Sequence, residues 1–193
     1  MTKIVGITGG IGSGKTTFSN HLKKLGFLVH ESDRVVSEIY TKPKKQFLSF
    51  IKEKISRDAI NHNKINKAEI ANVIFNNNTI KKLLERRIHK EVQGSREAFI
   101  KKYTKKKKKI IFADIPLLFE NKLEKSFDLV ICIISSKKNR SKRVLKNKKF
   151  TKENLNKIFK AQTTDKERKK RSQIIINNNK TKKDFIFSVE KVL

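Results

Sequence analysis

The stretch Gly9-Gly10-Ile11-Gly12-Ser13-Gly14-Lys15-Thr16 satisfies the pattern G-x-x-x-x-G-K-[ST]. A short apolar run, Ile4 to Thr8, precedes it, and Phe18, Leu22 and Leu25 recur at helical spacing after it. The phrase therefore sits between a predicted strand and a predicted helix, the context that separates a phosphate-binding loop, or P-loop, from a chance match. Glycines let the backbone curl so that successive N–H groups converge on phosphate oxygens, and the following helix turns its positive end toward the same anion. Lys15 reaches the β- and γ-phosphates of ATP, and Thr16 ligates Mg²⁺. Gly10, Ile11, Gly12, Ser13, Gly14 and Thr17 complete the expected nucleotide-binding set.

Outward from the loop, Gly26 stops the helix, and Phe27 to His30 reads as a second strand that delivers Glu31, Ser32 and Asp33 to a loop. From Ser37 to Lys102 the apolar positions keep a helical period, through Phe47, Phe50, Ile51 and Ile55 and on to Ile88 and Val92. The lysine run 105–109 reads as a solvated loop that feeds a buried strand, Ile110 to Ala113, ending in Asp114. Phe127 to Ile134 is apolar at almost every position, as a central parallel strand covered on both faces would be. Polar helices follow at 137–147, 152–161 and 165–171 and suit a lid. Ile174 to Ile176 is a last strand, the three asparagines after it a turn, and Phe185, Val189 and Val192 mark a terminal helix.

Strands alternating with helices predict an α/β fold, a P-loop NTPase-like parallel sheet flanked by helices, with ligands at the carboxyl ends of the strands. Within a single domain, 1–193, the expected parts are a core (1–36, 108–136 and 172–193), an inserted helical substrate region (37–107) and a helical lid (137–171).

Composition narrows the setting. Cys132, the one cysteine, lies inside an apolar run, which excludes an intrachain disulfide and a cysteine-based metal cluster. No apolar stretch is long enough for a signal peptide or a membrane span, so a cytoplasmic location and no membrane partner are expected. The net charge of +30, from 48 Lys and Arg against 18 Asp and Glu, by itself suggests an anionic partner such as a nucleic acid. The lysines, however, are spread along the chain and accompany asparagine runs at 76–78 and 177–179, a pattern that biased base composition produces. With no zinc-finger spacing and no aromatic-rich basic stripe, a dedicated nucleic-acid partner is not expected.

Several side chains join the loop as candidates. Asp33, at a strand's carboxyl end, is placed either to take the proton of an attacking hydroxyl or to help hold the metal. Asp114 ends its strand in the manner of a Walker B carboxylate, which holds Mg²⁺ directly or through water. Arg140, Lys142 and Arg143 offer positive charge for a transferring phosphoryl group. His89 has no second histidine at metal-ligand spacing, which argues against a metal site there.

The phrase Ile7 to Thr16, followed by Asp33 and by Asp114-Ile115-Pro116-Leu117-Leu118-Phe119-Glu120, resembles the dephospho-coenzyme A kinases nearly end to end. The segment Pro116 to Glu120 is the more specific part, because many unrelated ATPases share the P-loop. The resemblance implies ATP-dependent phosphorylation of the ribose 3'-hydroxyl of dephospho-coenzyme A, in a fold with core, coenzyme-A-binding and lid parts. It further implies Asp33 as general base, Lys15 and Arg143 as catalytic cations with Arg143 in the lid, and Gln162 as a position following the lid. His89, Pro116, Leu117, Leu118 and Glu120 fall on the substrate side. The chain departs from the family pattern at Lys90, Asn147 and Lys180. Two other readings use the same features: a P-loop kinase of nucleosides or nucleotides, and a nucleic-acid-binding protein that exploits the basic surface.

Overall fold

β-branched and apolar residues concentrated in five short runs build one parallel sheet. The computed structural model describes residues 1–146 and 150–193. By its internal contacts the chain divides into two units, Met1–Glu31 with Ile100–Leu193, and Ser32–Phe99. The segment 137–171 belongs to the first unit.

In the first unit the strands are β1 (Lys3–Thr8), β2 (Val29–Glu31), β5 (Ile110–Asp114), β6 (Leu129–Ile134) and β7 (Ile174–Asn177), in the spatial order β2-β5-β1-β6-β7. All neighbouring pairs are parallel. β1, which carries the glycine loop at its carboxyl end, is the middle strand; β6, expected as central, lies between β1 and β7.

The two faces of the sheet bury different residues, as the period of two requires. Val5, Ile7, Phe112, Ile131 and Ile133 pack with Phe18 and Leu22 of α1 (Lys15–Lys24) and with Phe185 and Val189 of α9 (Lys182–Glu190). Ala113, Ile115 and Val130 pack on the other side with Leu118 and Phe119. A side chain at Gly6 would meet Leu118 Cδ1 at 2.9 Å, so that face admits only glycine there without movement.

α1 ends in a turn in which Phe27 N–H donates to Leu22 O and Gly26 N–H to Lys23 O, both at 3.0 Å, which satisfies carbonyls that the helix end would leave open. This unit also contains α6 (Lys137–Lys146), α7 (Lys152–Ala161) and α8 (Asp165–Arg171). Thr151, Thr164 and Thr181 each cap a helix N-terminus by accepting a backbone N–H, at α7, α8 and α9 respectively.

The second unit contains α2 (Ser32–Thr41), α3 (Lys45–Lys54), α4 (Lys67–Asn76) and the greater part of α5 (Asn78–Lys105). Pro43 separates α2 from α3, since proline disfavours helix in the residue before it. Phe47, Ile51, Ile70 and Leu84 form a separate core, with the ring of Phe47 edge-on to Tyr40.

The sequence predicts helix throughout this region, but a short hairpin intervenes, β3 (Ile60–Asn61) against antiparallel β4 (Lys64–Ile65). Its turn residues His62 and Asn63 have φ of 45° and 61°, the left-handed pair that a two-residue hairpin turn demands. α5 also runs on to Lys105, into the lysine run that reads as loop.

Candidate active site

The glycine loop occupies the expected place, between the end of β1 at Thr8 and the start of α1 at Lys15. Gly14 caps α1 with φ of 112°, a conformation that L side chains rarely adopt. The cap offers no side-chain oxygen, and the first turn contains no acidic residue, so nothing of the helix's own competes with an anion for its first N–H groups. Ser13 N–H donates to Gly10 O at 3.1 Å and closes the curl.

The cradle is held from its carbonyl side. Asn178, just past β7, donates from Nδ2 to Ser13 O at 2.7 Å. Arg143, on α6, donates from Nη1 to Gly12 O and to Ser135 Oγ, each at 3.2 Å, and from Nη2 to Asn178 O at 2.8 Å. Sequence reasoning treats Asn178 as one of three turn asparagines and misses this contact; the only signal is its position after the last strand. Asn147, where the chain departs from the family pattern, lies outside the described residues.

A second group lies beside Gly10. Arg140 of α6 and Arg168 of α8 share Asp165, with Arg140 Nη2 to Oδ2 at 3.1 Å and Arg168 Nη1 to Oδ1 at 2.9 Å. Arg168 also pairs with Glu120 at 3.4 Å. A Cβ on Gly10 would clash with Arg140 Nη1 and come within 3.0 Å of Arg168 Nη1, so the loop passes too close to both guanidinium groups for a side chain. Both arginines are buried, Arg168 to 2% exposure. Burial lowers the pKa of Arg140 from its ordinary value, while the nearby Asp165 carboxylate opposes that shift.

Glu120 accepts the backbone N–H of Thr163 at 2.7 Å, and the neighbouring Gln162 accepts that of Ile11 at 3.0 Å. Lys137, Arg140, Phe159, Gln162, Thr163 and Arg168 contribute to a cavity of about 200 Å³ here.

On β5, Asp114 pairs in register with Ile7 of β1 and accepts a hydrogen bond from Ser19 Oγ of α1 at 2.7 Å. The turn after it is mixed in exposure. Leu117 is open to solvent, whereas Leu118, expected to touch substrate, is wholly buried in the core and Glu120 is only partly exposed.

In the second unit, Asp33 stands exposed in the first turn of α2, which begins directly after β2; the expected loop is absent. His89 is exposed on α5. Its neighbour Lys90 lines a cavity of about 660 Å³, along with Lys42, Lys44 and Arg87, around Ile39 and Phe47. Glu91 pairs with Arg87 at 2.8 Å and with Lys44 at 3.9 Å. Four cations and two carboxylates, Glu38 and Glu91, thus line this cavity around an apolar floor, which suits a ligand with both charged and aliphatic parts. Sequence singles out Lys90 only as a departure from the family pattern, and in a chain with this much lysine it does not mark Lys42, Lys44 or Arg87.

Among the described residues no three His, Cys, Asp or Glu side chains gather to hold a metal. The exposed Thr16 hydroxyl and the Asp114 carboxylate are hard oxygen donors, and so fit Mg²⁺ that takes most of its ligands from phosphates and water. Burial pushes the Cys132 thiol up to about 11, which removes it as a nucleophile near neutral pH. Among the described residues no helix is long and apolar enough to cross a membrane.

Comparison with known proteins bears on this arrangement. A family model described as dephospho-CoA kinase matches residues 3–184. A dephospho-CoA kinase of Fusobacterium nucleatum is 32% identical over 191 residues, spanning 97% of this chain and 95% of the relative. One of Buchnera aphidicola is 35% identical, over 93% of this chain and 85% of the relative. The solved dephospho-CoA kinase from Campylobacter jejuni superposes with a TM-score of 0.75 at 25% identity, covering 100% of this chain and 96% of that one. TT1252 from Thermus thermophilus shares the fold with a TM-score of 0.79 at 23% identity, over 99% and 95% of the two chains.

Proposed function

The chain belongs to the dephospho-CoA kinase family, and from that premise we propose that it transfers the γ-phosphoryl group of ATP to the ribose 3'-hydroxyl of dephospho-coenzyme A, giving coenzyme A and ADP. The observation that carries this reading is the glycine cradle between β1 and α1, with Asp114 in register beside β1.

Phosphoryl transfer asks for positioning and charge neutralisation more than for covalent chemistry. Lys15 takes the β- and γ-phosphates as the bond to the leaving oxygen breaks, and N–H groups of the stretch Gly10 to Thr17 hold the nucleotide, apart from those of Ile11 and Ser13, which already donate within the protein. Asp33 accepts the proton of the 3'-hydroxyl as its oxygen bonds to phosphorus. Thr16 and Asp114, the latter directly or through water, would hold Mg²⁺, which would supply charge neutralisation at the phosphates. Arg143 serves the phosphate end through the Gly12 carbonyl of the cradle, which it holds.

On the acceptor side the first unit's candidates are Pro116, the exposed Leu117 and the buried Leu118; taken by itself, the second unit offers His89 and the cavity that Lys90 lines. Residues 137–171 act as a lid, which limits hydrolysis of ATP by water.

The test is release of ADP in the presence of Mg²⁺ with dephospho-coenzyme A or with a panel of nucleosides and nucleotides as acceptors. Turnover with dephospho-coenzyme A is expected to dominate. Preference for a nucleoside would replace this reading with the related kinase activity.

A further inference from the structure

Glu120 closes the specific segment Pro116 to Glu120, yet its carboxylate is directed to the protein itself. It accepts Thr163 N–H at 2.7 Å and the Arg168 guanidinium at 3.4 Å. Thr163 and Gln162 are consecutive residues in the turn between α7 and α8, and Gln162 Oε1 accepts the N–H of Ile11 in the cradle. One turn is thus held at one end by Glu120 and at the other grips the P-loop.

We infer that Glu120 is a positioning residue for the nucleotide cradle, acting through Thr163, Gln162 and Arg168, and not a ligand of the acceptor; the inference rests on the proposed kinase reaction. Its charge matters as much as its hydrogen bonds. Arg140 and Arg168, both buried against Gly10, face two carboxylates, Asp165 and Glu120. Removal of the Glu120 charge leaves Arg168 with Asp165 alone, which Arg140 also needs, and a buried cation short of its partner is costly. The turn then loses its anchor, Gln162 shifts, and the loop at Ile11 is no longer fixed. Positioning errors on that scale reduce rate steeply because the cradle works through pre-set geometry.

The experiment is steady-state kinetics of Glu120→Gln, varying each substrate in turn, with thermal melting to verify folding. We expect kcat/KM for ATP to fall by roughly tenfold to a hundredfold while KM for dephospho-coenzyme A stays within about twofold of wild type. Gln162→Ala removes only the cradle end of the same link and should give the same ATP-side loss, so it carries the test if Glu120→Gln does not fold. The double variant should lose little beyond the single ones, because both interrupt one path.

A raised KM for dephospho-coenzyme A with ATP parameters intact would overturn the inference, as would fully additive effects of the two changes. Binding of a fluorescent ATP analogue, measured without acceptor, separates this inference from the kinase assignment. Weaker binding in both variants supports the link even if another acceptor is the true one, and unchanged binding together with unchanged kcat/KM for ATP contradicts it.

Discussion

Asn178 donates its side-chain amide to the carbonyl oxygen of Ser13 at 2.7 Å, joining the segment after β7 to a loop 165 residues earlier in the chain. A carbonyl held from behind fixes the peptide plane, and with it the direction of the following N–H on the phosphate side. Asn178 is buried at 7% exposure and also receives Arg143 on its own backbone carbonyl. Replacement by alanine leaves the Ser13 carbonyl without this donor. Asn178→Ala should lower stability by about 1–3 kcal/mol. It should also weaken ATP binding; urea unfolding with and without an ATP analogue reads both effects, and unchanged nucleotide-dependent stabilisation would contradict a role in shaping the cradle.

Lys15 begins α1, and in the proposed reaction its charge stabilises phosphate oxygens that become more negative as transfer proceeds. Lys15→Ala is expected to reduce kcat by roughly a hundredfold or more with the melting temperature little changed. Turnover close to wild type would remove the lysine from the catalytic account.

Asp33→Asn preserves the size of the side chain and removes its ability to take a proton. Calorimetry with ATP and Mg²⁺ should find nucleotide affinity retained, while phosphoryl transfer collapses. A parallel loss of nucleotide affinity would identify Asp33 as a metal-holding group instead.

Cys132 provides a check on the core that is independent of catalysis. Its thiol is buried on β6 and pushed up from 9.0 to about 11 by desolvation. A thiol reagent at neutral pH should therefore label the protein only at the rate of unfolding. Above the ordinary cysteine value the unfolded chain gives up this proton and the folded chain retains it. The thiol's contribution to stability is thus complete below pH 9.0 and is lost as pH rises toward about 11. Rapid stoichiometric labelling of the native protein at pH 7 would contradict the buried position.

The contrast between what was legible and what was not follows sequence distance. The cradle is local, eight consecutive residues whose backbone needs are written in their glycines, and the alternation of strands and helices exposes the sheet by periodicity alone. The hairpin at Ile60 to Ile65 is hidden because two-residue strands are too short to show a period, and only Asn63 hints at the turn. Asp33 reads as a loop residue because Ser32 and Asp33 suit a turn as well as the start of a helix, and the sequence does not decide between them. The cluster of Arg140, Asp165, Arg168 and Glu120 joins residues up to 48 positions apart; the sequence offers Arg140 as a candidate cation and Glu120 through the family segment, but neither Asp165 nor Arg168 nor the contacts among the four. Arg143 is found by its position in the family pattern, but its grip on the Gly12 carbonyl is visible only in three dimensions.

The most direct test of the central claim is the identity of the product formed from ATP, Mg²⁺ and dephospho-coenzyme A, determined by mass and by phosphorus NMR. The account predicts one added phosphate, on the ribose 3'-oxygen, giving coenzyme A, with formation slowed roughly a hundredfold or more in Lys15→Ala. Release of inorganic phosphate with no phosphorylated acceptor, or a phosphate at any other position, would contradict it.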